Sequence, residues 1–199
     1  MIIYMDGSSV RVTNTRKQKD WLLSWGMIVQ HDDETVEQHG HVENVGSMYR
    51  GFHEMLAFAE AVRYVKHKKV PFKDVSFFTD DEWVVKAQFV LHPHNYCESR
   101  ATEVKARVMQ FVNEFFPSTL YDDMLACLRE ARFTKVKGHE DTVYNLRVDY
   151  LAAYARKLKM GMAEEFQHFE QWLANGFKFF NTKLQRYDVW YAPFASSTN

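Results

Sequence analysis

This chain has little cysteine, few prolines and no long apolar run. Its two cysteines, Cys97 and Cys127, show no Cys-x-x-Cys spacing and no dense framework, so it is not a disulfide-stapled scaffold and reads as a reduced intracellular protein. No stretch approaches the roughly eighteen apolar residues that span a bilayer. The opening "MIIYMDGSS" lacks a basic n-region, and Asp6 closes an apolar run of five residues. It is therefore not read as a signal peptide, and a cytoplasmic location without membrane attachment is expected. An excess of one charge is also missing. Lys and Arg number 25 and Asp and Glu 26, for a net charge of −1 with histidines neutral. Any nucleic-acid contact must then come from a local patch. There is no repeat and no low-complexity linker, which leaves one sizeable core with an appendage.

Apolar residues make up 46% of the 199 positions and charged residues 26%, as in ordinary soluble domains. Ile2–Met5 reads as a short strand ended by Asp-Gly-Ser, Trp21–Gln30 as a central strand, and Thr35–Val45 as a third. Short connections between them predict an antiparallel meander. "YRGFHEMLAFAEAVRYVKHKK" then carries Phe52, Leu56, Ala59 and Val62 at helical spacing and stops before Pro71. Val75–Thr79 is a fourth strand, followed by a helix start at Asp80-Asp81-Glu82, where carboxylates suit the positive helix end. Two helices follow, separated by Pro117, the second with Ser118 or Thr119 as cap. "RFTKVKG" is a last strand. The helix after it is expected to turn Val143, Leu146, Tyr150, Leu151 and Tyr154 inward. In the last forty residues Phe166, Phe169, Leu173 and Phe177 form one helical stripe. That stripe is read as packed on the core rather than as a surface for a protein partner or self-association.

Four carboxylates stand out on this map. Asp6 ends the first strand, Glu54 opens the first long helix, Asp80 ends the fourth strand and Asp149 lies in the helix after the fifth. Strands one and four as neighbours would bring Asp6 and Asp80 together, with Glu54 and Asp149 supplied by helices packed nearby. Such a group repels itself unless cations intervene. All-oxygen ligands favour Mg²⁺ or its substitute Mn²⁺ over zinc. Two such ions about 3.5–4 Å apart are an established way to cut a phosphodiester. Taken singly, each residue also has a plain structural role, as a turn, a cap or a solvated helix carboxylate.

"IYMDGSS", "HEMLAFAEAV", "FFTDDEWVV" and "VKGHEDTVYNLRVDYLA" together resemble, in order, the motif series of type 1 ribonuclease H. The resemblance covers about Ile2 to Lys157. It implies an α/β fold, a ribonuclease H-like mixed five-stranded sheet of three antiparallel strands and then parallel strands, flanked by helices. The implied organisation is a catalytic domain over residues 1–158 and a helical, aromatic C-terminal extension over 159–199. It further implies a metal-dependent endonuclease that hydrolyses the RNA strand of RNA–DNA hybrids with two Mg²⁺ ions. Asp6, Glu54, Asp80 and Asp149 would be the metal ligands, and His139 would assist proton transfer or product release. Gly7, Ser8, Ser47, Arg50, Asn145 and Arg147 are the candidate nucleic-acid contacts.

The chain departs from the family in places. "VRVTNTRKQKDW" replaces a glycine-rich turn with a longer loop carrying Arg11, Arg16, Lys17 and Lys19. "SMYRGFHE" stands where paired asparagines often precede the helical glutamate, so Ser47, Arg50 and His53 are the substitutes on offer. From His92 to Thr134, five basic residues face six acidic ones, so this helical insert is not the basic protrusion of many bacterial members. Asp81 replaces a serine and either adds charge near the metals or caps a helix. Two rival readings remain: an inactive module of the same fold that binds nucleic acid or protein, and a related nuclease acting on other structured or double-stranded nucleic acid. His39, His41, His92, His94 and Cys97 provide no four-ligand zinc set at known spacing.

Overall fold

A computed structural model describes residues 1–13, 19–33, 36–44, 51–136, 143–160, 177–181 and 186–190. Strand β1 (Ile2–Thr13) pairs antiparallel with β2 (Lys19–Gln30), and β2 with β3 (Val36–Asn44). On its other side β1 pairs in parallel with β4 (Ser76–Thr79), which pairs in parallel with β5 (Arg132–Lys135). The order β3-β2-β1-β4-β5 is the mixed five-stranded sheet the sequence implied.

Alternation along β1 sends Ile3, Met5 and Gly7 to one face and Tyr4, Asp6 and Ser8 to the other. The first face carries the main core. There α1 (His53–His67) buries Met55, Leu56, Phe58, Ala59, Val62 and Val65 against Ile3, Met5, Leu23, Met27 and Phe77. Each large buried side chain contributes about 1.5–3 kcal/mol of transfer free energy. Around it pack α2 (Glu82–Leu91), α3 (Glu98–Phe115) and α4 (Thr119–Glu130). The second face is covered by α5 (Val143–Lys159), over a cluster whose buried members among the described residues are Tyr4, Ile28 and Val148.

Three expectations need correction. First, β1 does not end at Asp-Gly-Ser. It runs to Thr13, paired residue for residue with β2, so most of the supposed first loop is strand. The turn chemistry of Asp-Gly-Ser is overridden by a partner strand that satisfies its backbone groups. Second, of the α5 residues expected inward, Leu151 packs on the cluster of Tyr4, Ile28 and Val148 but Tyr150 is 41% exposed, while Asn145, Arg147, Val148 and Ala152 are buried; the side chains of Val143, Leu146 and Tyr154 lie outside the described residues. Polar residues occupy part of the packed face, which a hydrophobic pattern cannot reveal. Third, Phe177 belongs to a strand rather than a helical stripe. Within the extension β6 (Phe177–Asn181) pairs antiparallel with β7 (Arg186–Trp190). Phe166, Phe169 and Leu173 lie outside the described residues.

Two caps also resolve. Ser118 makes no side-chain cap bond at α4. Asp81 caps α2, its carboxylate accepting the Trp83 N–H at 2.8 Å and the Val84 N–H at 3.3 Å. Its backbone N–H in turn donates to the Thr79 hydroxyl at 3.1 Å.

Candidate active site

The carboxylates come from four separate elements. Asp6 sits in mid-strand on β1 and is 6% exposed. Asp80 follows the last residue of β4, which runs parallel beside β1. Glu54 is the second residue of α1. One carboxylate oxygen from each of Asp6, Glu54 and Asp80 lies within 4.8 Å of the other two. Asp149 on α5 completes the group, close enough to Asp6 that both its charge and a side-chain hydrogen bond act on that carboxyl.

Two glycines make this convergence possible. A Cβ on Gly7 would stand 2.2 Å from the His53 carbonyl oxygen and 2.6 Å from the Glu54 nitrogen, so only glycine lets α1 begin this close to β1. The Gly7 N–H donates to Glu54 Oε2 at 3.1 Å, and His53 Nε2 lies 3.5 Å from Glu54 Oε1. On the opposite face Gly26 is the cross-strand partner of Asp6. A Cβ there would meet the Val148 carbonyl oxygen at 2.6 Å and the Ala152 nitrogen at 2.9 Å. The helix backbone thus rests on the sheet beside Asp6, with Asp149 between these two contacts. Buried Ser24 fixes the register of α5, its hydroxyl donating to the Ala152 carbonyl at 2.7 Å. One turn further on, Arg156 Nη1 donates to the Ser9 carbonyl at 2.8 Å.

Burial pushes the Asp6 carboxyl well above the usual carboxylate range, and the charges of Asp80 and Asp149 push it further. Glu54 is raised in the same way, by burial first and then by Asp6, Asp81 and Asp80. Asp81 therefore contributes its field even though its oxygens face the start of α2. Burial lowers the His53 imidazole below its ordinary value. Crowded carboxylates that resist ionisation, the three that converge all offering oxygen, suit a hard divalent cation. Among the described residues, His39, His41, His92, His94 and Cys97 join no such group.

The other expected positions divide. Gly7 lies at the α1 contact, and Ser8 stands opposite Ser24 in the β1–β2 register. Asn145 and Arg147, candidate nucleic-acid contacts, lie on α5 and are each 2% exposed. Burial draws the Arg147 guanidinium down to about 10. Ser47, Arg50 and His139 lie outside the described residues. The sequence reading did not single out Gly26, Ser24 or Arg156. An isolated glycine inside a bulky strand was the available signal for Gly26, since it marks close backbone approach.

A family model described as RNase H matches residues 1–157, and the chain belongs to that family of nucleic-acid-binding hydrolases. No curated protein sequence matches the chain. Similar solved structures include RNase H1 from the halophilic archaeon Halobacterium salinarum NRC-1, at 15% identity and a TM-score of 0.47, over 78% of this chain and 96% of that one. Prototype foamy virus protease-reverse transcriptase is 18% identical with a TM-score of 0.48, over 77% of this chain and 20% of that one. LC11-RNase H1, solved in complex with an RNA/DNA hybrid, is 17% identical with a TM-score of 0.45, over 80% of this chain and 98% of that one.

Proposed function

We propose that the chain is a cytoplasmic endonuclease that hydrolyses the RNA strand of RNA–DNA hybrids. The observation that carries this reading is the convergence of Asp6, Glu54 and Asp80, with Asp149 acting on Asp6, in a chain of the RNase H family. The four carboxylates would hold two Mg²⁺ ions, with Mn²⁺ as a substitute. Such ions supply charge neutralisation at the scissile phosphate and acidify an attacking water. The protein's own part is positioning. The Gly7 N–H and the His53 ring hold the two oxygens of Glu54, while Ser24 and Arg156 hold the helix that carries Asp149. His139, in the Val-Lys-Gly-His segment, is assigned the proton-carrying role, since imidazole titrates near neutrality. Discrimination for RNA would come from 2′-hydroxyls displayed in the shallow minor groove.

The test is a cleavage gel with labelled hybrid, duplex DNA, duplex RNA and single-stranded RNA, in Mg²⁺ or EDTA, alongside Asp80→Asn. Cleavage of the hybrid's RNA strand, abolished by EDTA and by Asp80→Asn, is the expected result. An intact hybrid, or an Asp80→Asn protein that cuts as well as wild type, would overturn it. Preferential cutting of duplex RNA would instead favour the structured-RNA nuclease, a reading prompted by "SMYRGFHE" in place of paired asparagines.

A further inference from the structure

We propose that the far end of the β1–β2 hairpin is this protein's phosphate-gripping surface, taking the backbone of the duplex away from the cut, in place of the helical insert. The inference rests on the reading of the chain as a nuclease acting on duplexes. Strand β4 pairs with β1 only over Ile2–Tyr4, but the β1–β2 ladder continues to Thr13 opposite Lys19. The hairpin therefore runs on past the carboxylates as an arm. From Asp6 to Thr13 is seven residues, about 23 Å of strand. That matches six or seven steps of duplex at about 3.4 Å each.

The arm is charged for such a ligand. From Val10 to Lys19 the sequence holds four cations and no anion, and Arg11 and Lys19 are the two among the described residues. Arg11 and Lys19 are exposed, and alternation puts both on one face of the hairpin. Arg11 lies 5.9 Å over the ring of its cross-strand partner Trp21, a stack that pre-orients the guanidinium. Among the described residues no carboxylate bonds to either cation, so both remain available to an external anion. Asp20, next along the chain, belongs to the opposite face. The helical insert has the reverse character, with five basic residues against six acidic ones between His92 and Thr134. Each phosphate contact releases counterions, so the surface that grips the duplex sets the salt dependence of binding.

The experiment measures hybrid affinity against salt concentration in the Asp80→Asn background, where the probe stays whole. Arg11→Gln with Lys19→Gln is expected to flatten the log–log slope by about two, near one for each phosphate left without its cation. Lys105→Gln with Arg107→Gln, on α3 of the insert, is expected to leave the slope unchanged. Arg11→Lys, which keeps the charge and loses the planar stack, is expected to retain the slope and separates charge from folding of the arm. An unchanged slope in the Arg11/Lys19 variant, loss of slope in Arg11→Lys, or a flattened slope in the insert variant would each overturn the proposal. Because binding is read without cleavage, a wild-type protein that fails to cut hybrid sinks the catalytic reading and leaves this result to stand or fall separately.

Discussion

The two faces of the sheet are built by opposite rules. On the α1 face, large apolar side chains interlock, with Phe58, Phe77, Met55 and Leu56 all nearly or fully buried. On the α5 face the buried apolar cluster among the described residues is Tyr4, Ile28 and Val148, and the contact also runs through a glycine, a buried serine and backbone carbonyls. The first arrangement tolerates local adjustment, because side chains can repack. The second has backbone against backbone and little to adjust. Among the described residues, apolar burial is therefore heavier on the α1 face and backbone contact closer on the α5 face, and the carboxylates stand where the two meet.

That contrast can be broken from either side. The largest expected effect is in stability, from Phe58→Ala. The ring is fully buried and packs edge-on to Phe77 and Phe133, at 6.3 and 5.7 Å between centroids. A loss of about 3–5 kcal/mol is expected, read from urea midpoints at constant m. A loss under about 1 kcal/mol would contradict the heavier apolar burial on that face. Next comes Gly26→Ala. Its new methyl group meets backbone at 2.6 Å, so α5 must shift and carry Asp149 with it. Displacement of this order costs about 10²-fold in rate. Initial cleavage rates of the folded variant check it, and an unchanged rate would show that α5 can slide without harm.

The smallest effect is a pH dependence. Asp6 and Glu54 have raised pKa values in the folded protein, so between the ordinary carboxylate value and the raised one the folded state binds more protons than the unfolded. Stability of the metal-free protein should then fall as pH rises through that window, from about pH 4 upward. Thermal melts in EDTA are expected to show the decline, and Mg²⁺ or Asp80→Asn should shrink it. Melting temperatures that climb across the same window in EDTA would contradict the crowding of these carboxylates.

Part of the carboxylate group was legible in the sequence because two of its members sit at the ends of elements. Asp80 at a strand end and Glu54 at a helix start can be read from local pattern, and the order of strands one and four then joins them to Asp6. What was hidden depended on tertiary partners. Nothing local in Asp-Gly-Ser signals that β2 will pair through it. The buried side chains of Asn145 and Arg147 reverse the rule that polar positions on a helix face water. Gly26 looks like a weak point in a strand until a helix is laid across it.

The short reach of β4 has one more consequence. Beyond Tyr4, no strand among the described residues pairs with β1 on that side. A bare strand edge is a template on which a second molecule can add its own strand and begin an aggregate. Here two backbone groups beyond that point are already engaged by side chains, the Gly7 amide by Glu54 and the Ser9 carbonyl by Arg156. The residues that assemble the carboxylate group thereby also block strand addition. Variants that loosen either helix should first reveal themselves as material lost to precipitation at high protein concentration.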